Sequence, residues 1–156
     1  MELLLWLLLA AAALHVVEEW LWPGGFLDWF RRFAPFAAAL TPGLAVVVNA
    51  AFLALVLAAA ILAEDRLVLS LSAAALCFVN GLLHVVGTIK TREYSPGVVT
   101  GALLYLPLAV AVYAAADAAG PGEWIASILL GIGYQAAVVA GLRLRVATGS
   151  VRAPTR

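Results

Sequence analysis

The sequence predicts an all-α integral membrane protein, a bundle of five transmembrane helices. Three observations carry that expectation. Of the 156 residues, 65% are hydrophobic and only 12% are charged, where an average soluble domain carries about 25% charged residues. Five apolar runs are each long enough to cross a hydrocarbon core, which takes about 20 helical residues. The connections between the runs are short and polar. A soluble fold of this length has no way to hide so much apolar surface.

The spans are expected at residues 3–22, 42–63, 67–89, 98–119 and 124–144, within one domain over 1–146. Residues 147–156 are expected to form a flexible basic tail. The first apolar run ends in alanines and imitates a signal peptide. Its only early charge is Glu2, however, where a secretory signal opens with positive residues, so a retained first span is expected. Thr41-Pro42 and Ser95-Pro96 each place a capping hydroxyl before a proline and mark the starts of spans two and four. Between spans one and two, aromatics alternate with Asp28, Arg31 and Arg32, which suits an amphipathic segment over 26–37 in the headgroup region. Trp20, Trp22, Trp29 and Trp124 read as interfacial belts.

Loop charge sets the orientation. Eight of the nine Lys and Arg residues fall on one side, and only Arg66 falls on the other. The positive side is cytoplasmic by the usual bias, so the N-terminus is expected outside and the C-terminus inside, in the inner membrane. The intramembrane polar residues His15, Glu18, Glu19, Asn49, Asn80, His84, Tyr105 and Gln135 then lie in the cytoplasmic half. The external half reads as nearly all Leu, Ala and Val.

Helical spacing groups these residues further. His15, Glu18 and Glu19 stand at i, i+3 and i+4, so one imidazole can reach both carboxylates. Glu19, at i+4, is the one expected to point inward. Cys77, Asn80, His84 and Thr88 form one stripe on span three. Gly97 and Gly101 make a GxxxG followed on the same face by Tyr105. These faces are expected to converge on one pocket, with Tyr94 near its rim. His15, Glu18, Glu19 and His84 are the candidate catalytic residues and the candidate ligands of zinc or non-haem iron. Asn49, Asn80, Tyr105, Thr88, Tyr94 and Gln135 are candidate substrate or supporting residues. Each has a plainer reading: snorkelling for the glutamates, an interhelical hydrogen bond for His84, packing contacts for the asparagines and a small apolar residue at Cys77.

His15-Val16-Val17-Glu18-Glu19 and the later block NGLLHVVGTIKTREYSPG, residues 80–97, resemble the HXXEE family of small bacterial membrane proteins. The resemblance covers most of the chain. It implies a membrane-embedded helical fold and candidate residues, but no reaction. A second likeness is to the emopamil-binding sterol isomerases, five-span proteins with a histidine, a glutamate four residues on and a nearby tryptophan. His15, Glu19 and Trp20 would correspond, and the rest of that family's pattern is not matched.

Intramembrane charge is costly, about 2.5–3.5 kcal/mol per residue at the bilayer centre on insertion scales, so the cluster calls for a role. The leading expectation is a metal-dependent enzyme acting on a lipid or another hydrophobic substrate. HxxEE is not the H-E-x-x-H spacing of zinc hydrolases. The alternatives are metal-free acid/base chemistry on an isoprenoid or sterol-like lipid, such as an isomerase or cyclase, and a small proton- or cation-coupled carrier. Expected partners are membrane lipids and a lipophilic small molecule, with a homodimer for the carrier reading and no nucleic acid. The single cysteine excludes an internal disulfide and a thiolate-rich zinc cluster within one chain.

Overall fold

The computed structural model describes residues 1–21, 24–63 and 66–150. Trp22, the Glu64-Asp65 connection and Arg152 and Arg156 of the basic tail lie outside these residues. The described residues are helical and contain no strand. The helices are α1 (Glu2–Leu21), α2 (Gly25–Phe33), α3 (Pro42–Ile61), α4 (Leu67–Thr91), α5 (Val98–Ala114) and α6 (Pro121–Ala147). A 3₁₀ turn, Pro35–Ala39, joins α2 to α3. Helices α1, α3, α4 and α6 are long and apolar enough to cross a membrane, and α5 is a shorter apolar helix. Four to five apolar helices able to cross a membrane are the build of a multi-pass membrane protein.

Local chemistry explains most boundaries. Thr41 caps α3 as expected, its hydroxyl accepting the Leu44 N–H at 3.2 Å ahead of Pro42. Glu123 caps α6 by accepting the Gly120 N–H at 3.0 Å. The fourth span differs from expectation. It opens on a short α-helical stretch, Val98–Thr100, passes through a π-turn over Gly101–Tyr105 just before Pro107, and ends at Ala114 rather than 119. Proline offers no N–H to the preceding turn, and the helix widens upstream of it. At the other end, exposed Asp117 and the Gly120-Pro121 pair stop the helix. At 1.5 Å per residue α5 is about 25 Å long.

Helix α4 is the central element, buried continuously from Ser70 to Cys77. It packs most extensively against α6, and small residues allow the approach. A Cβ on Gly131 would lie 2.7 Å from the Ala75 Cβ. Gly81 of α4 meets Gly101 of the π-turn backbone to backbone, and a Cβ on Gly81 would stand 2.9 Å from the Gly101 carbonyl oxygen. The Gly81→Ala variant is therefore expected to lose about 1–3 kcal/mol from overpacking, read as a lower midpoint of thermal unfolding in detergent. The main core gathers Leu5, Leu8, Phe52, Val56, Leu71, Leu76, Cys77 and Tyr105. Cys77 belongs to this apolar core, in line with its plainer reading. A smaller cluster of Ala39, Leu40, Ala45 and Leu142 packs under Phe26, Phe30 and Phe36.

Two expectations are corrected here. Trp29 is not part of an interfacial belt: it is 7% exposed, and its ring covers Gly87, where no Cβ intervenes. Trp20 and Trp124 remain exposed, at 43% and 42%. The half of the bundle opposite the His/Glu cluster also holds buried serines at 70, 72 and 127. Ser70 and Ser72 donate to carbonyls of their own helix, and Ser127 pairs with the Tyr113 hydroxyl at 2.7 Å. Such locally satisfied hydroxyls are absorbed by packing and build no polar path.

Candidate functional site

Helix α1 presents His15 and Glu19 on one face, both buried, and α4 presents buried His84 opposite them. Glu19 Oε1 lies 3.3 Å from His84 Nε2 and 3.6 Å from His15 Nε2. Asn49 of α3 donates its amide N–H to Glu19 Oε2 at 3.4 Å. One carboxylate is thus surrounded by side chains from three helices. The two imidazoles meet edge to face with centroids 4.8 Å apart. Tyr105 stacks on His15 at 4.6 Å, and Phe26 tilts against His84 at 5.1 Å. The rings are held on several sides, so their nitrogens are aimed rather than free to rotate.

His15, Glu19 and His84 could together hold a metal ion. Ligand atoms of His15, Glu19 and His84 all lie within 4.8 Å of one another. Bonds of 2.0–2.1 Å at tetrahedral angles place neighbouring ligand atoms about 3.3 Å apart, close to the two spacings around Oε1. Among the described residues His15 Nε2 is buried without a hydrogen-bond partner, a state that a buried polar atom seldom keeps. Two imidazoles and a carboxylate are also a donor set that zinc and non-haem iron accept.

Glu18 does not join this group, a correction to its reading as a metal ligand. Its carboxylate grips the start of α5 instead. Oε1 accepts the N–H groups of Gly97 at 2.9 Å and Val99 at 3.1 Å, and also the Tyr94 hydroxyl. Oε2 accepts the Thr100 N–H at 2.8 Å and its hydroxyl at 2.6 Å. A carboxylate belongs at a helix N-terminus, where unpaired N–H groups and the helix dipole both favour negative charge. Partial burial and the Glu18 carboxylate push the Tyr94 hydroxyl upward, so it remains a donor at neutral pH. Ser95 does not cap α5, contrary to the Ser-Pro reading. Its hydroxyl sits 3.0 Å from His84 Nδ1, and its own N–H donates to Thr88 Oγ1 at 3.1 Å.

A cavity of about 740 Å³ opens beside Glu19 and His84. Helix α2 and the 3₁₀ turn cover it with Phe26, Trp29, Phe30 and Phe36, while Asn49, Asn80 and Gln135 contribute polar atoms. Asn80 Oδ1 and Trp29 Nε1 are buried without hydrogen-bond partners among the described residues. Arg32 ties α2 to the α4–α5 connection through Glu93 at 3.0 Å. The segment expected at the headgroups is therefore a helix that helps wall the cavity.

The sequence profile described as "Protein of unknown function with HXXEE motif" matches residues 6–112. The chain belongs to the HXXEE family. The match spans both blocks that build the cluster, from His15 through Thr100. No curated protein and no solved structure matches the chain. Family membership therefore brings no activity with it. The GxxxG face that starts at Gly97 does meet the cluster, as a Cβ on Gly97 would touch both imidazoles. Ser95 and Thr100 were missed as site residues in the sequence, although Ser95 sits inside the second block, because neither falls on a periodic polar stripe.

Proposed function

We propose that the chain is a metal-dependent membrane enzyme acting on a lipophilic substrate. The observation that carries this reading is the convergence of His15 Nε2, His84 Nε2 and Glu19 Oε1 beside a largely apolar cavity. Cavities of about 300–1,000 Å³ suit small-molecule ligands. A metal held by the three side chains would act as a Lewis acid or lower the pKa of a bound water. The chain's own residues supply the rest. Asn49 fixes the Glu19 carboxylate, Asn80 and Gln135 offer polar contacts to a bound molecule, and the α2 aromatics exclude water.

Metal-free acid/base catalysis is the second reading, favoured by the 3.3 Å contact that already joins His84 to Glu19. A carrier finds less support, because the serines buried at the far end are locally satisfied. The positive loops favour a cytoplasmic opening, in an inner membrane, with the N-terminus outside.

Mass spectrometry of the full chain, extracted in mild detergent, tests the cavity. Wild type is expected to retain a lipophilic molecule that the cavity-filling variant Val139→Trp loses. Equal retention by both contradicts a substrate site there.

A further inference from the structure

Thr100 touches both sides of the His/Glu motif. Its Oγ1 lies 2.6 Å from Glu18 Oε2, 2.8 Å from His15 Nδ1 and 3.4 Å from the Gly97 carbonyl oxygen. A threonine hydroxyl has one proton to give and lone pairs with which to accept. Glu18 and the Gly97 carbonyl compete for that proton, and the contact to Glu18 has the length of a charge-assisted O–H···O bond. Glu18 also receives three backbone N–H groups and the Tyr94 hydroxyl, so its oxygens act as acceptors. The Thr100 proton goes to Glu18, and the Thr100 oxygen is left to accept. Its remaining neighbour, His15 Nδ1, must then carry the hydrogen.

We propose that Glu18 and Thr100 form a hydrogen-bond relay that fixes His15 as its Nδ1–H tautomer and aims the Nε2 lone pair at Glu19, which makes Thr100 a positioning residue of the centre. Two acceptors, Nε2 and Oε1, then face each other across 3.6 Å, an arrangement that a cation between them relieves. Outer partners of this kind fix the tautomer and ring orientation of metal-binding histidines. The same segment supplies the Ser95 hydroxyl at His84 Nδ1. By gripping the start of α5, Glu18 therefore places the partners of both imidazoles. The two adjacent glutamates divide the labour, Glu19 inside the centre and Glu18 behind it. The purpose of the relay rests on the metal reading; its hydrogen-bond directions do not.

The chain has only two histidines, so ¹⁵N NMR of the full chain in detergent, stripped of metal, can resolve His15 by comparison with His84→Gln. Wild type is expected to show His15 protonated at Nδ1 and bare at Nε2. Thr100→Val is expected to lose that preference and to bind zinc about 10–100-fold more weakly, and Thr100→Ser is expected to restore both. A wild-type His15 protonated at Nε2, or at both nitrogens, overturns the relay. So does a Thr100→Val variant with wild-type spectrum and zinc affinity. Should wild type show the expected tautomer but bind no added zinc, the relay stands and the metal reading fails.

Discussion

Glu19→Gln is expected to lose zinc binding by more than about 100-fold, beyond the 10–100-fold that follows loss of an outer partner. The substitution keeps the shape of the side chain and an oxygen for the Asn49 amide, which lies 3.4 Å from Glu19 Oε2. It removes the negative charge that two imidazoles face at 3.3 and 3.6 Å. The fold should survive, because α1 is held mainly by Leu5, Leu8, Ala11 and Ala12 in the core. Calorimetric titration with zinc, beside a thermal melt, separates these effects. Glu19→Gln binding zinc like wild type would remove Glu19 from the centre.

Gly97→Ala is expected to damage both fold and site. Gly97 has φ +104°, in the region that favours glycine, and starts α5 under the Glu18 carboxylate. A Cβ there would stand 2.7 Å from Cε1 of both His15 and His84. The backbone strain costs about 1–3 kcal/mol, and overpacking against two clamped rings adds about 1–3 kcal/mol. A marked fall in melting temperature, together with loss of zinc affinity, is the expected result. Wild-type values for both would mean that the imidazoles are not clamped against this residue.

Much of this architecture was legible in the residues. Hydrophobic run length and turn chemistry gave α1, α3, α4 and α6 nearly to their ends, because burial in lipid leaves helix as the natural backbone solution. Thr41 was legible as a cap because its function is local. Span four ends earlier than its hydrophobic run predicts, since exposed Asp117 ends the helix by its need for water, and the π-turn ahead of Pro107 leaves no hydropathy signal. The site was legible in part. The i, i+4 pair of His15 and Glu19 lies on one helix, and its spacing alone brings it together. The same spacing singles out Glu19 as the inward glutamate, but placing Glu18 at the start of α5 required a contact between residues 82 apart in sequence. Ser95 and Thr100 carry no charge and no periodicity, so their partnership with the histidines appears only when the loop before α5 is in place. Trp29 looked like a membrane anchor because composition cannot tell a tryptophan at the headgroups from one folded down over a glycine.

Elemental analysis of the full chain, purified in mild detergent, tests the central claim most directly when His84→Ala is measured beside it. One zinc or iron per chain in wild type, lost in His84→Ala while the variant stays folded and monodisperse, is the expected result. Absence of metal from wild type even after zinc is supplied, or full retention by His84→Ala, would contradict a centre built from His15, Glu19 and His84.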